Sequence, residues 1–268
     1  MTTAILTALA AVLYFSSFAV STFSKAKKSS LRISSALAFS GFAAHTAAIA
    51  ARGILIGGIA LSTSYDLLEF IIWGFVLIQL IGALFFKIGL VGIFSMLPAA
   101  ILTALPLGCP LFLETMRNVQ RASTSVATIH AILAVISYAF MIAGAAAAAM
   151  YIAQEKYLRE KSHSASARLL PSLQKLDGTM KISLQTALIS MAVSSIFGAI
   201  KAAQTDIDLP MSIKLAGATI ILLAQISIFT ATAAKKLGAK KLAFYEIALA
   251  ALALLMLIPI ELRTALMK

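Results

Sequence analysis

The sequence predicts an all-α membrane protein, a polytopic bundle of about eight transmembrane helices with both termini outside. The chain has 268 residues, of which 61% are apolar and 12% are charged, and its mean hydropathy is +0.98. Soluble domains are far less apolar than this. The apolar runs each approach the roughly 20 residues that cross about 30 Å of hydrocarbon. No polar insertion is long enough to fold alone, so residues 1–268 are predicted to form a single transmembrane domain.

Eight apolar segments alternate with short connections that are basic or carry Pro and Gly. The predicted helices cover residues 3–23, 33–51, 66–86, 88–105, 126–153, 181–201, 210–234 and 242–260. The first is interpreted as a retained span, because Lys25, Lys27 and Lys28 follow its apolar run, whereas a signal peptide carries such charges before it. The fifth continues into a polar stretch, which predicts that it extends beyond the membrane.

The orientation follows from the basic side chains, since Lys and Arg concentrate in short loops on the inner side. Most of the 22 Lys and Arg fall in the connections after the first, third, fifth and seventh helices, which places both termini outside. The net charge of +12 is then explained by helix ends that meet an anionic lipid bilayer rather than by nucleic acid. An inner or cytoplasmic membrane, or a plastid-type energy-converting membrane, is the expected location.

Signatures of enzymes are missing from the sequence. It has no phosphate-cradling glycine loop, no Gly-x-Ser-x-Gly elbow and no His-Glu-x-x-His zinc motif. Its single cysteine, Cys109, excludes a disulfide within the chain and a Cys-x-x-Cys-His haem attachment. We therefore expect a protein that is not an enzyme.

The most informative stretch is residues 40–75. It places His45 inside an apolar helix and Arg52 on the same helical face, roughly 10 Å further along the axis. An intramembrane histidine usually faces the bundle interior as a ligand, a relay or a hydrogen-bond donor. For His45, ligation and a hydrogen bond to a neighbouring Ser or Thr are both open, while Arg52 can snorkel to the headgroups. Trp73, in the third helix, can pack in the core or anchor at the interface.

A second set of polar residues lies on the fifth helix. His130 is near its outer end and shares a stripe with Tyr138. His130 can be a ligand or an interfacial polar residue. The small residues from Gly144 onward predict close helix contact, and Gln225 of the seventh helix is expected to join helices by a hydrogen bond.

Taken together, these residues resemble the cytochrome c assembly superfamily of haem-handling membrane proteins, which includes the CcsA, CcmC and HemX types. The similar parts are His45-Thr46 with Arg52, Gly57, Ser62, Tyr65, Asp66 and Trp73; His130 with Ser137-Tyr138; and Leu170-Pro171, Leu176-Asp177 and Gly198-Ala199-Ile200. The resemblance implies that His45 is an intramembrane haem ligand and His130 an external one. Residues 202–209 replace the long Trp-rich loop of that family, so the likeness is closest to the HemX-type branch.

These observations predict a haem-handling protein that binds haem b between the second, third and fifth helices, in the outer half of the bundle. His45 and His130 would ligate the iron, Arg52 would pair with a propionate, and Trp73 and Tyr138 would complete the site. The expected role is cytochrome c biogenesis or haem supply, with membrane subunits of such a system as partners. A haem-free accessory subunit of a larger complex and a small-molecule transporter remain open.

Overall fold

The protein is entirely helical over the residues that its computed structural model describes, which are 2–23, 28–61, 63–85, 95–108, 125–161, 170–204 and 209–257. The helices are α1 (Thr2–Phe23), α2 (Lys28–Ile56), α3 (Ser64–Phe85), α4 (Met96–Gly108), α5 (Ser125–Arg159), α6 (Leu173–Ala202), α7 (Leu209–Ala233) and α8 (Ala239–Met256). The all-α prediction is therefore confirmed. Cys109 and His163 lie outside the described residues.

Six of these helices, α1 to α3 and α5 to α7, are long and apolar enough to cross a membrane. Helix α4 has 13 residues, a length of about 20 Å that is short of the hydrocarbon thickness. Helix α8 has 18 residues but includes Lys240, Lys241 and Glu246. An integral, multi-pass membrane protein follows from the six long helices, while eight spans and outer termini stay predictions.

Two helices begin a turn or more earlier than hydropathy alone predicts. Helix α2 starts at Lys28 rather than near residue 33. Helix α6 starts at Leu173, eight residues before the predicted 181, because Ser172 accepts a hydrogen bond from the Lys175 amide and caps the helix. Hydropathy identifies only the apolar part of a helix. A polar turn that continues the helix beyond this part is therefore missed.

The bend between α2 and α3 fixes how these two helices face each other. Gly57 has a φ of +71°, a left-handed conformation that glycine adopts without strain. The Gly58 amide bonds the Gly53 carbonyl at 3.0 Å and closes the end of α2. At the start of α3, the Thr63 hydroxyl accepts from the Asp66 amide and donates to the Asp66 carboxylate. The sequence of the bend thus sets the direction in which α3 leaves.

Helix α3 connects two groups of helices. On one side α1 packs against α2 and α4, and on the other α5 packs against α6 and α8, with α7 beside α8. Helix α3 contacts α2, α4 and α5. Its Leu68, Ile71, Ile72 and Phe75 are buried in the apolar core. Side chains near the N-terminal end of α3 can therefore face α2.

Candidate functional site

His45 lies in the bundle interior and is completely buried. Its Nδ1 is 3.3 Å from the hydroxyl of Tyr14 on α1, and its Nε2 is 2.9 Å from Oε2 of Glu69 on α3. This last contact has the distance of a salt bridge without hydrogen-bond alignment, so neither Glu69 oxygen has a hydrogen-bond partner among the described residues. The prediction that His45 faces inward is confirmed by its burial, and its neighbours are a phenol and a carboxyl group rather than Ser or Thr.

Arg52 forms a second buried pair between the same two helices. Its Nε donates to Oδ1 of Asp66 at 2.9 Å, and both side chains are almost fully buried. The guanidinium carbon also lies 5.7 Å from the centre of the Tyr65 ring, within the range of a cation–π contact. Snorkelling of Arg52 to the headgroups is therefore not observed, because α3 supplies a carboxylate inside the bundle.

Trp73 joins the same helices one layer further along α3. Its indole Nε1 donates to the Thr46 hydroxyl at 2.9 Å, and its ring stacks on Phe42 with the centroids 5.4 Å apart. Of the two alternatives for Trp73, packing in the core and anchoring at the interface, this geometry matches packing between helices. Three predicted site residues, His45, Arg52 and Trp73, thus meet at the α2–α3 contact.

A small cavity lies beside these pairs. It measures about 10 Å³ and is lined in part by Thr3, Arg52, Asp66 and Glu69. This volume is about one water molecule, whereas sites for drug-sized ligands measure roughly 300–1,000 Å³. A porphyrin does not fit beside His45 in this packing.

His130 has a different environment, against α6. Its Nδ1 lies 2.8 Å from the Ser194 carbonyl oxygen, and the Ser194 hydroxyl donates to the His130 carbonyl at 2.9 Å. A methyl group at Gly198 would lie 2.9 Å from the imidazole Cε1, so this glycine makes room for the ring. The Ser194 hydroxyl is also 3.0 Å from Nδ1, but it donates to the His130 carbonyl, and a carbonyl oxygen only accepts. The tautomer that fits these contacts therefore carries its proton on Nδ1, which leaves the lone pair on Nε2.

Tyr138 lies two turns further along α5 and packs partly buried against the apolar core. Its neighbour Ser137 donates to the Ala187 carbonyl of α6 at 2.8 Å. The partners of His130 and Ser137 are thus on α6, whereas His45 contacts α1 and α3. The described contacts do not bring the two histidines together.

Several important residues were not predicted as site residues. Asp66 and Glu69 are only 2% and 3% exposed, and they pair with Arg52 and His45. Their spacing of three residues at the start of an apolar helix was the available signal, since intramembrane carboxyl groups face a partner. The expected hydrogen bond of Gln225 is not observed: its amide is fully buried without a partner in the described part of the chain.

Comparisons with protein-family models, curated proteins and solved structures yield no match to this chain. A functional assignment therefore depends on the residues themselves.

Proposed function

We propose that this protein is a haem-handling integral membrane protein, in which His130 is the residue that takes the iron. One observation carries the proposal. Nδ1 of His130 donates to the Ser194 carbonyl, which leaves Nε2 as the nitrogen with a free lone pair. Histidines that ligate metals commonly donate their other ring N–H to a carbonyl or carboxylate, because this fixes the ring and its tautomer.

The predicted haem-binding residues differ in how readily they could bind haem b. His130 is half-buried near the N-terminal end of α5 and would serve as an iron ligand, which is what the resemblance to the cytochrome c assembly family implies. His45 would join the same iron only after it leaves Glu69 and Tyr14. Arg52, expected to bind a propionate, is already paired with Asp66. When bound, haem would bring its own redox and ligand chemistry, and this chain would supply the nitrogen and its orientation.

The test is the absorption spectrum of protein purified in mild detergent from haem-replete cells. We expect a Soret band that is lost in His130→Ala and restored by imidazole in His130→Gly, with His163→Ala as the unaffected control. If His45 also ligates, His45→Ala converts a six-coordinate low-spin spectrum to a five-coordinate one; an unchanged spectrum excludes the shared iron and leaves the His130 site. A folded, colourless protein that takes up no added haem overturns the proposal.

A second candidate, a haem-free accessory subunit of a larger membrane complex, is favoured by the closed α2–α3 contact. There the two basic side chains already face carboxyl groups, and the cavity beside them holds about one water. In this case, the buried pairs would act only in packing. A colourless protein that co-purifies in fixed ratio with other membrane subunits, with the same ratio in His130→Ala, supports this candidate.

A further inference from the structure

Glu246 is a buried acid that the proposed haem site does not use. It lies on α8, about 10 Å along the axis from the start of that helix at Ala239. Its side chain is only 1% exposed. Neither carboxyl oxygen has a hydrogen-bond partner among the described residues.

The carboxyl group occupies space that a glycine provides. A methyl group at Gly144 of α5 would lie 3.0 Å from the Glu246 carboxyl carbon and 3.2 Å from Cβ of Ser183 on α6. The acid therefore sits where α5, α6 and α8 meet. Alanines follow Gly144 along α5, and such small residues let neighbouring helices approach closely.

A second orphan polar group lies at the same level on α7. Gln225 and Glu246 are each about ten residues from the middle of the turn that joins α7 to α8, so the antiparallel helices place them at similar depth. Gln225 is fully buried, and neither its amide nitrogen nor its amide oxygen has a partner in the described part of the chain. Two unsatisfied polar side chains thus share one layer of the bundle.

No charged side chain in the described ranges is seen to pair with Glu246. On its own helix, Lys240 pairs with Glu155 of α5, and Lys241 is exposed. On α6, Lys181 pairs with Asp177. The other described bases near this end are accounted for as well. Arg159 and Lys156 of α5 face Glu155 and Glu160, and the exposed bases are Lys161, Lys175, Lys235 and Lys236. The acid lacks the counter-charge that an ionised carboxylate needs in an apolar interior.

We propose that Glu246 is an intramembrane proton-binding site, for which Gly144 provides the space and Gln225 the neighbouring polar group. In the packing observed here the carboxyl group carries its proton, because the neutral acid is the form that an apolar, unpaired position favours. Release of that proton creates a charge that requires water or a cation, so it is coupled to separation of α8 from α5.

A cavity between α3, α5 and α6 lies close to this region. It measures about 310 Å³ and is lined in part by Ala143 and Ala147 of α5 and by Ser183, whose Cβ also lies next to Gly144. Ile81 and Ile182 also line it and are exposed on the outside of the bundle, so the cavity opens towards lipid. An apolar reagent specific for protonated carboxyl groups can therefore test the proposal.

The experiment is labelling of the full chain in lipid vesicles with dicyclohexylcarbodiimide, followed by peptide mapping. At neutral pH we expect an adduct on Glu246 that is lost as the pH rises, and none on Glu155, which is ion-paired near the inner surface. In parallel, the infrared band of a protonated carboxyl group should disappear in Glu246→Gln. Absence of both the adduct and the band in folded wild-type protein overturns the proposal. If Glu246→Gln does not fold, the mapping of wild-type protein decides alone.

A matched pair of glycine variants tests the role of the packing. Gly144→Ala should displace the carboxyl group and reduce its labelling at neutral pH several-fold. Gly178→Ala, on α6, is the control, because a methyl group there meets nothing within 4 Å. Equal labelling in the two variants would contradict the part assigned to Gly144.

Discussion

At the scale of single residues, the buried charged groups of α2 and α3 are retained because they meet one another inside the bundle. Arg52 is held by Asp66, and Asp66 is held in turn by the Thr63 hydroxyl at 2.7 Å. Removing one member of such a buried pair leaves an uncompensated charge, whereas removing both can be nearly neutral. The contribution of the pair to stability is therefore measured by replacing one of its two residues and not both.

Arg52→Ala should lower the free energy of unfolding by about 3–5 kcal/mol, because it leaves the Asp66 carboxylate buried and unpaired. Thermal unfolding in detergent would show a lower midpoint. Lys181→Ala is the control, since it breaks an exposed i,i+4 pair with Asp177 at a cost of about 0.3–0.5 kcal/mol. The double variant Arg52→Met, Asp66→Leu should recover much of the loss. Equal losses of stability in Arg52→Ala and Lys181→Ala would show that the buried pair contributes no more than the exposed one.

At the scale of helices, α1 and α2 approach closely through small residues. The Ser17 hydroxyl donates to the Ser34 carbonyl at 2.8 Å, and the Ser34 hydroxyl donates to the Ser17 carbonyl at 2.9 Å. Further along, the Tyr14 ring lies over Gly41, where a methyl group would be 2.8 Å from two ring carbons. Tyr14 also reaches His45, so this helix contact positions a residue of the candidate site.

Gly41→Ala should destabilise the protein by about 1–3 kcal/mol, because the added methyl group overpacks the α1–α2 contact. Gly82→Ala, in α3, should instead stabilise it by about 0.5–1 kcal/mol, since a helical glycine is replaced where a methyl group meets nothing within 4 Å. Chemical unfolding of the two variants in the same detergent gives the comparison. If both variants change the free energy of unfolding in the same direction, the close approach of Tyr14 to Gly41 does not determine the effect of the added methyl group.

At the scale of the whole molecule, α3 joins the α1–α2–α4 group to the α5–α6–α8 group. The α2–α3 pairs and the His130 site lie on opposite sides of this connection. The orientation of the helices in the membrane decides whether the α2–α3 pairs and the His130 site lie towards the outer or the inner side.

Single cysteines in a Cys109→Ser background test the orientation. A cysteine at Gln204, at the end of α6, should react with an impermeant maleimide from outside, and one at Lys236, in the α7–α8 turn, only after the membrane is opened. Cysteines at Arg117 and Asp206 should behave like the first, and those at Lys27 and His163 like the second. Reaction at position 163 in intact cells would reverse the orientation and move His130 to the inner face.

The sequence by itself determined that this protein is helical and suited to a membrane. Hydropathy is a local property of the chain, so each predicted segment overlaps an observed helix. Polar turns extend several of these helices, and residues 88–94 of the fourth predicted segment lie outside the described residues. The face shared by His45 and Arg52 followed from the helical period, and their burial agrees with it.

Only the tertiary structure decided which groups meet. Glu69 faces His45, the Ser194 carbonyl accepts a hydrogen bond from Nδ1 of His130, and Glu246 packs on Gly144. The last two contacts join residues 64 and 102 positions apart in sequence. Such pairings depend on the rotation and register of each helix against its neighbours. The pattern of apolar residues within one helix does not determine either of these. The physical reason is that burial favours a face, whereas a hydrogen bond or an ion pair requires a particular partner at a particular height.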